Sequence, residues 1–338
     1  MNNKKVISQE NLIHNFNVCQ KAFSNLCVMV KANGYGHGAK VIVRALKSKA
    51  SFFGVATAKE AIELRKAFSD INILVVGKAT RFDFLIKNNI SFAVDSLNEI
   101  KIAEQIAIKH TNIAKIHIKI NTGMNRLGTK SLNEFLSMLN YCNTSKNIIL
   151  EGVFTHVFDA DCNTSHFYEQ MQEFYCYVKH INNPNVIIHI GGSFVLKHKV
   201  PSFVNMVRVG YFVYGYGKKG LKPVMTVCSR VIKVTNCKAG EFVGYGKTKL
   251  KHNSKIAVVG MGYADGLMRR LSNEYFVNIN GRLCKIVGNI CMDMFMVDVS
   301  NASVRVGDKV IVLDNAEQMA KTANTSAYEI LTAFNLLR

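Results

Sequence analysis

The sequence predicts an α/β fold joined to a β fold: an N-terminal (β/α)8 TIM-type barrel followed by a C-terminal, mainly β domain. Over the first two thirds of the 338 residues, short apolar runs alternate with amphipathic stretches of helical length. After about residue 220 this alternation stops, and strand patterns follow one another with no long helix between them. A chain of this length also fits two domains better than one. We therefore predict a barrel domain over 1–220 and a β-rich domain over 221–338.

The predicted barrel strands are apolar runs of four to six residues, which are typical of parallel strands buried on both faces. There are eight of them: Leu26–Val30, Phe52–Ala56, Ile73–Gly77, Ser91–Val94, Lys115–Ile120, Leu150–Thr155, Val186–Ile190 and Met206–Val209. Two of the intervening helices begin with capping boxes, Thr57 with Glu60 and Ser96 with Glu99. Eight strand–helix units in about 220 residues indicate a closed barrel rather than an open sheet.

The strand patterns of the second domain cover 224–234, 255–263, 276–288 and 308–313. Within the third, Asn280-Gly281 separates two alternating runs, and both residues tolerate the positive φ that a type I′ hairpin turn requires. The last residues, 326–338, have the pattern of a terminal helix.

Charge and composition argue against several classes of function. The formal net charge is +20, but the lysines are spread along the chain without a long run or an aromatic-rich basic motif, so we predict no nucleic-acid binding. No stretch approaches the ~20 apolar residues of a membrane span, and no signal peptide is apparent. Nine cysteines without metal-ligand spacing indicate free thiols. We expect a cytoplasmic protein without a metal site, whose positive field attracts small anions.

A lysine is the first candidate for chemistry, because the active site of a barrel forms at the carboxyl ends of its strands. The first run ends directly in Lys31, and the glycine-rich segment 32–38 follows it. A lysine over an apolar interior loses its proton more easily and can attack a carbonyl group as a free amine. The glycines are spaced G-x-G-x-G, and no acidic residue ends the second run, so a dinucleotide site is not predicted.

The other strand ends carry groups that suit an anionic cofactor. Arg126 follows the fifth run and His156 the sixth, and a guanidinium suits a carboxylate or a phenolate-type oxygen. Ser193 follows the seventh run behind two glycines, while the eighth contains Arg208 and is followed by Gly210. Glycines and a serine after the last two strands are typical of a barrel phosphate site. A lysine, an arginine and a phosphate site at one barrel mouth predict pyridoxal phosphate as the cofactor.

Eight segments of the chain resemble the alanine racemase family, in the family's order and near its spacing, from about residue 7 to residue 332. They are KANGYGHG at 31–38, NTGMNRLG at 121–128, EGVFTH at 151–156, VRVGY at 207–211, GYG at 244–246, GYADG at 262–266, CMD at 291–293 and YEILT at 328–332. The first of them is similar to the family's cofactor-attachment signature.

The resemblance implies a pyridoxal-phosphate-dependent racemase that interconverts L-alanine and D-alanine and supplies D-alanine for bacterial cell-wall peptidoglycan. Lys31 would bind the cofactor as a Schiff base and act as one base. Tyr245, contributed by the second subunit of a homodimer, would act as the other base on the opposite face. Inversion needs a proton taken from one face and returned on the other, so two bases must flank the ring.

The resemblance also assigns contacts to the cofactor. The phosphate would be held by Tyr35, Ser193, Gly210 and Tyr211. Arg208 would hydrogen-bond the ring nitrogen, and His156 would support Arg208 and Tyr245. Because an arginine hardly gives up its proton, the ring would not become a full electron sink, which should suppress transamination.

Further residues are assigned to the substrate and to the approach to the site. Arg126 would contact the phenolic oxygen of the cofactor and the substrate carboxylate. Met292 of the partner subunit would meet the same carboxylate through its backbone. Lys119 matches a position that is carbamylated in some members, and Tyr263 matches one that narrows the entrance.

Three positions depart from the family pattern. Asn121 stands where many members have an aspartate, and Gly192 where many have an asparagine before the phosphate serine. The sequence ends at Arg338, where the family usually continues to a tyrosine that reaches the phosphate. We expect another group to replace that hydroxyl, or the phosphate to be held less firmly.

Other interpretations of the same residues stay open. A racemase of this fold for another amino acid, such as serine, is the main alternative, although a narrow entrance at Tyr263 favours alanine. Non-catalytic barrels that carry pyridoxal phosphate lack a β domain, and the decarboxylases with a barrel and a β domain have a cysteine motif that is not apparent here.

Overall fold

Eight parallel strands form a closed barrel in the computed structural model, which describes residues 3–161 and 164–334. A short strand, Lys4–Ile7 (β1), precedes the barrel. The barrel strands are Leu26–Met29 (β2), Phe52–Val55 (β3), Ile73–Val75 (β4), Ser91–Val94 (β5), Ala114–Lys119 (β6), Ile148–His156 (β7), Ile187–Gly191 (β8) and Met206–Val209 (β9). The barrel closes where β2 pairs with β9, and Leu26 lies opposite Val207. All eight predicted runs are strands, so the predicted barrel is confirmed.

Helices follow most of the barrel strands, as the alternating pattern predicted. Over the first two thirds of the chain they are Gln9–Ala22, Ala39–Leu46, Ala58–Ala67, Phe82–Lys87, Leu97–Lys109, Leu132–Thr144 and Thr164–Val178, with a 3₁₀ helix at Ser193–Lys197. Thr57 forms the complete capping box with Glu60. Ser96 accepts from the Glu99 N–H, but the Glu99 carboxylate accepts from the Asp95 N–H instead, one residue earlier than the box requires.

The chain divides into two compact units. One contains Leu12–Gly34 and Gly38–Lys222, and the other contains the residues up to Asn11, the short segment Tyr35–His37 and the residues from Pro223 onward. The predicted range of the barrel domain, 1–220, therefore needs correction at its N-terminal end, where the residues up to Asn11 group with the other unit. Strand β1 pairs antiparallel with a strand of the C-terminal unit, Lys4 lying opposite Cys228, so the first residues belong to that unit.

The C-terminal unit is mainly β, as predicted. Its strands are Met225–Cys237 (β10), Phe242–Val243 (β11), Thr248–Lys249 (β12), Ser254–Val259 (β13), Phe276–Ile279 (β14), Arg282–Lys285 (β15), Phe295–Asp298 (β16) and Lys309–Leu313 (β17). A seven-stranded sheet runs β15-β14-β17-β10-β13-β16, with β1 added on β10, and β11 and β12 form a separate hairpin. Two 3₁₀ turns, Tyr263–Asp265 and Arg269–Leu271, and two helices, Ala316–Ala323 and Ala327–Ala333, complete the unit.

The Asn280-Gly281 hairpin is confirmed. Both residues have positive φ, 51° and 81°, and Ile279 pairs with Arg282 across the turn. The predicted terminal helix is present over Ala327–Ala333, while 335–338 lie outside the described residues. Among the described helices, none has both the length and the apolar character needed to cross a membrane.

Candidate active site

Lys31 begins a left-handed turn two residues after the end of β2. Ala32, Asn33 and Gly34 have φ of 50°, 52° and 64°, and the Gly34 N–H donates to the Val30 carbonyl at 2.7 Å. This region costs a residue with a Cβ atom about 1–2 kcal/mol. Such strain persists where the surroundings hold the backbone in place, and it clusters at functional sites.

A glutamate from the helix that follows β3, Ala58–Ala67, holds this turn. One Glu60 carboxylate oxygen accepts from the Ala32 N–H at 2.6 Å, and the other accepts from the Ala56 N–H at 2.8 Å. The carboxylate thus joins the residue after Lys31 to the end of β3. The sequence pattern identifies Glu60 only as part of a helix cap, because that pattern is local and the turn lies 28 residues away.

The amine of Lys31 lies in an environment that favours its neutral form. Burial lowers the pKa of Lys31, and the nearby cations Arg126 and Arg208 lower it further, while Glu60 opposes them. A lowered pKa increases the fraction of free amine, which is the form that attacks a carbonyl carbon. The predicted role of Lys31 has the electrostatic setting that it needs.

A second lysine, Lys119, lies in the same cationic group. It is at the end of β6, only 7% exposed, and its Nζ donates to the Val76 carbonyl at 3.3 Å. Burial lowers the pKa of Lys119 to about 8, with Arg208 and Arg126 contributing. Lys119, Arg126 and His156 line one small cleft.

Arg208 is buried inside the barrel, and its guanidinium is held on two sides. Its Nη1 donates to Nδ1 of His189 at 2.7 Å, and its Nη2 donates to the Thr155 carbonyl at 2.8 Å. The guanidinium carbon lies 4.6 Å from the centre of the Phe154 ring. Burial lowers the pKa of Arg208 to about 10, which still leaves the group protonated near neutral pH.

His156 stands at the end of β7 and remains neutral. Burial lowers its pKa to about 3, and the cations Arg208, Arg126, Lys31 and Lys119 act in the same direction. Gly191 leaves room for two side chains here, since a Cβ atom on it would come within 2.1 Å of Arg208 Nη2 and 2.7 Å of His156 Nδ1. Both groups approach Gly191, although no hydrogen bond joins them within the described ranges.

The buried neutral histidines make a prediction for stability in acid. We expect the free energy of unfolding to fall as the pH drops below about 6.5, because His117, His156 and His189 have lowered pKa values when folded and take up protons when unfolded. Each contributes a loss of about 1.4 kcal/mol per pH unit between its unfolded and folded pKa values.

Urea unfolding measured between about pH 6.5 and pH 4.5 tests this expectation. His156→Asn should reduce the slope of stability against pH by roughly a third, since one of three such groups is removed. His252→Asn, at an exposed position, is the matched control and should leave the slope unchanged. An unaltered slope in His156→Asn would show that His156 titrates alike in both states.

Three of the predicted phosphate residues lie together. Ser193 is buried at the start of a 3₁₀ helix, and its Oγ accepts from the N–H groups of Gly210 at 3.0 Å and Phe212 at 3.3 Å. Tyr211 lies between these two donors in the chain and is also buried. The serine hydroxyl, with both bonds accepted at oxygen, keeps its own proton to donate to an anion.

The predicted fourth phosphate residue, Tyr35, belongs to the C-terminal unit. Its ring centre lies 5.7 Å from that of Tyr328, and burial raises the pKa of the Tyr35 hydroxyl. The neighbouring Gly36 approaches the helix Ala327–Ala333 so closely that a Cβ atom would lie 2.1 Å from the Leu331 carbonyl oxygen. This close approach explains why a glycine follows Tyr35.

Tyr245 projects from the β11–β12 hairpin and is 72% exposed in the single chain. Its neighbours Gly244 and Gly246 have positive φ, and Asn289 Nδ2 donates to the Tyr245 carbonyl at 2.8 Å. A Cβ atom on Gly246 would lie 2.7 Å from the Asn289 amide nitrogen. The backbone of Tyr245 is therefore fixed, while most of the residue is exposed.

Tyr263 and Met292 lie on adjoining segments of the same unit. The N–H of Tyr263 donates to the Cys291 carbonyl and that of Ala264 to the Met292 carbonyl, both at 3.0 Å. Gly262 permits this approach, because a Cβ atom there would lie 2.2 Å from the Met292 oxygen. Tyr263 and Met292 are 45% and 52% exposed, so two large side chains on adjoining segments reach the surface.

Two domain models of one protein family together match most of the chain. The model of the alanine racemase N-terminal domain matches residues 7–218, and that of the alanine racemase C-terminal domain matches residues 224–336. The chain belongs to the alanine racemase family. An alanine racemase of Helicobacter pylori is 31% identical, over 97% of this chain and 96% of its own length.

Solved structures of this family have the same fold. The alanine racemase of Clostridium difficile is 30% identical with a TM-score of 0.91, covering 99% of this chain and 94% of its own. A histidine racemase of Leuconostoc mesenteroides superposes with a TM-score of 0.90 at 23% identity, covering 98% of this chain and 95% of its own. Because an alanine racemase and a histidine racemase share this fold, the fold does not determine the substrate, which depends on side chains within the site.

Sequence analysis of this alanine racemase family member missed the polar residues that lie inside the barrel. His189 on β8 and His117 on β6 are fully buried, and Glu151 on β7 accepts a hydrogen bond from His117. The available signal was polar residues at inward-facing positions of apolar strands. That signal becomes specific only when the strand order shows which of them meet.

Proposed function

We propose that this isomerase interconverts L-alanine and D-alanine with pyridoxal phosphate bound at the mouth of the barrel. The observation that carries the proposal is the amine of Lys31 at the end of β2, with a pKa lowered by burial and by Arg126 and Arg208. Membership of the alanine racemase family supports the same reaction.

The residues at the mouth fit this cofactor. Arg126 and Arg208 lie close enough to Lys31 and Lys119 to lower the pKa values of both lysines, so the four cationic groups together favour bound anions. A phosphate and a phenolic oxygen from the cofactor, with a carboxylate from the substrate, supply such anions. Ser193 adds a hydroxyl proton beside the backbone of Gly210, and Lys31 adds the amine that a pyridoxal aldehyde requires.

Each group would keep the role that the resemblance implies. Ser193, Gly210, Tyr211 and Tyr35 would hold the phosphate. Arg208 would donate to the ring nitrogen, Arg126 would meet the phenolic oxygen and the substrate carboxylate, and neutral His156 would support Arg208 and Tyr245. Lys119, with its pKa of about 8, has enough free amine near neutral pH to be carbamylated.

The reaction then depends on two proton-transfer groups. When bound, pyridoxal phosphate supplies a ring that withdraws the negative charge left on Cα when its proton is removed. Lys31 Nζ takes or returns that proton on one face, and Tyr245 Oη does so on the other. Arg208 keeps its own proton, so its guanidinium limits the charge that the ring nitrogen accepts.

We place Tyr245 and Met292 in the site of a partner subunit within a homodimer. Both side chains are exposed in the single chain, as is Tyr263 beside Met292. The backbone bonds at Tyr245 and Tyr263 hold these side chains outward from the C-terminal unit. Tyr263 and Met292 lie on adjoining segments, and neighbouring exposed apolar side chains that form a patch are typical of a surface that another molecule covers.

Polarimetry of the purified protein with added pyridoxal phosphate tests the reaction. The optical rotation of a solution of L-alanine and that of a solution of D-alanine, which begin with opposite signs, should both fall to zero. Serine is the comparison substrate and should react more slowly. Stable rotation of alanine, with protein that has bound the cofactor, would exclude the proposed activity, and faster loss with serine would favour the alternative substrate.

The entrance residue makes a separate prediction about specificity. Tyr263→Ala should raise kcat/KM for serine relative to alanine, because a smaller side chain admits a larger substrate. An effect of about 10-fold is expected, since small differences in fit are worth about 1–3 kcal/mol. Tyr175→Ala, a tyrosine of similar exposure on the helix Thr164–Val178, is the control. An unchanged ratio in Tyr263→Ala would remove Tyr263 from the entrance.

A further inference from the structure

One chain of hydrogen bonds crosses the barrel interior below the mouth. Arg208 Nη1 and His189 Nδ1 are 2.7 Å apart, His189 Nε2 and His117 Nδ1 are 2.8 Å apart, and His117 Nε2 and Glu151 Oε2 are 2.9 Å apart. The four residues come from the adjoining strands β6, β7, β8 and β9. Both histidines are fully buried, and the Glu151 side chain is 19% exposed.

The protons in this series of hydrogen bonds can be donated in only one direction, from Arg208 toward Glu151. An arginine nitrogen can donate but not accept, so His189 Nδ1 must accept, and the ring proton of neutral His189 lies on Nε2. That proton is donated to His117 Nδ1, which leaves the proton of neutral His117 on Nε2, facing Glu151. The carboxylate accepts it. Each ring thus has a fixed tautomer, set by an arginine at one end and an acceptor at the other.

We propose that Glu151 and His117 are positioning residues, which act through His189 to hold the guanidinium of Arg208 in one orientation. This inference rests on the proposed function, in which Arg208 faces the cofactor's ring nitrogen. Glu151 and His117 act on Arg208 indirectly, because His189 lies between them and the guanidinium.

The backbone is shaped around this chain. The pairing of β6 with β7 shifts between Ile116 and His117, so that Ile116 lies opposite Leu150 and His117 lies opposite Gly152. Glu151 is the extra residue of this bulge, and a bulge redirects the side chain that it carries. A Cβ atom on Gly152 would lie 2.3 Å from His117 Nδ1, so the glycine makes room for the ring.

Aromatic neighbours restrict the rings further. Phe154 stacks on His189 with centres 4.7 Å apart and also lies under Arg208, while Phe52 meets His117 edge-on at 6.1 Å. The carboxylate has two more neighbours, since Ser91 Oγ donates to it and Lys115 Nζ lies 4.0 Å from its Oε1.

The charges agree with this direction of donation. Burial lowers the pKa of His117 although Glu151 opposes it, and burial lowers that of His189 well below its ordinary range. Burial raises the pKa of Glu151, but the bonds from His117 and Ser91 outweigh this and leave it below its ordinary value. Barrel interiors are usually filled by branched apolar residues, which avoid the cost of burying polar groups. A polar chain here therefore needs a role other than packing.

Two substitutions of Glu151 separate its acceptor role from packing. Glu151→Leu removes the acceptor, and we expect kcat for alanine to fall about 10- to 100-fold with little change in KM, as is usual for groups that orient a ligand-binding residue. Glu151→Gln keeps an amide oxygen for His117 and should retain kcat within about threefold. Ser91 also donates to the Glu151 carboxylate but is not part of the series of hydrogen bonds that leads to Arg208. Ser91→Ala should therefore leave kcat within about twofold.

A spectroscopic measurement tests the proposed tautomers of His117 and His189. In the full-length protein with pyridoxal phosphate and ¹⁵N-labelled histidine, NMR should show His117 and His189 with the proton on Nε2, assigned from the signals lost in His117→Gln and His189→Gln. Glu151→Leu should change the His117 signals, and Glu151→Gln should not. Should Glu151→Leu fail to fold, Glu151→Gln and the wild-type tautomers decide the question.

The outcomes distinguish this inference from the proposed function. A proton on Nδ1 of His117, a Glu151→Leu variant with unchanged kcat, or a Glu151→Gln variant as impaired as Glu151→Leu would each overturn the inference. If the wild type does not racemise alanine, the proposed function fails while the tautomers are still measurable. If the wild type is active and Glu151→Leu is equally active, only the inference fails.

Discussion

Lys31→Ala is expected to abolish racemisation and to release the covalently held cofactor. The variant loses the amine that binds the cofactor and one of the two bases, and a single positioned base contributes about 10²- to 10⁴-fold on its own. We therefore expect a loss of at least about 10⁴-fold. Lys40→Ala, an exposed lysine in the same segment, is the matched control and should keep wild-type activity.

Chemical trapping tests the same assignment without relying on activity. Borohydride reduction of the protein with bound pyridoxal phosphate, followed by peptide mapping, should place the pyridoxyl group on Lys31. Lys31→Ala should give no such peptide. A label on Lys119 or any other lysine would contradict the assignment. Lys119 is a competing amine, because it lies near the same two arginines and burial lowers its pKa to about 8.

Mixing two inactive variants is expected to restore activity. Lys31→Ala and Tyr245→Phe should each be nearly inactive, because each lacks one base. If every site combines Lys31 of one subunit with the partner subunit's Tyr245, a heterodimer has one intact site and one that lacks both bases. Random exchange makes about half of the dimers heterodimers, so activity should recover to roughly a quarter of the wild-type value.

Subunit exchange has to be demonstrated alongside this assay, for example by mass spectrometry of differently tagged chains. Mixing Lys31→Ala with itself under two tags is the matched control and should stay inactive. Proven exchange without recovery would show that both bases act within one chain. A mixture that contains only monomers would contradict the homodimer.

The barrel could be predicted from sequence because its strands are continuous in the chain and apolar on both faces. The runs Leu26–Val30 and Met206–Val209, for example, correspond to β2 and β9, which close the barrel. Strands with partly exposed faces were missed: β1 has an alternating pattern over four residues, and β11 and β12 have two residues each. The partner of β1 is β10, which is distant in sequence, while β11 and β12 pair with each other but are too short to show a periodic pattern.

The candidate site shows the same difference between local and distant signals. Lys31 and Ser193 could be singled out because each follows an apolar run and adjoins glycines. The contact of Glu60 with the turn after Lys31 could not, because it joins residues 28 positions apart. The bulge that turns Glu151 toward His117 depends on the register of β6 against β7, which a single sequence does not show.

The most direct test of the two-base account is racemisation of L-alanine in D₂O, analysed early in the reaction. With Lys31 and Tyr245 as separate bases on opposite faces, the D-alanine formed should carry deuterium at Cα, because the proton added comes from a group that did not remove the first one. The remaining L-alanine should keep most of its proton. D-alanine that retains the original proton would mean that one group serves both faces, and it would contradict the roles given to Lys31 and Tyr245.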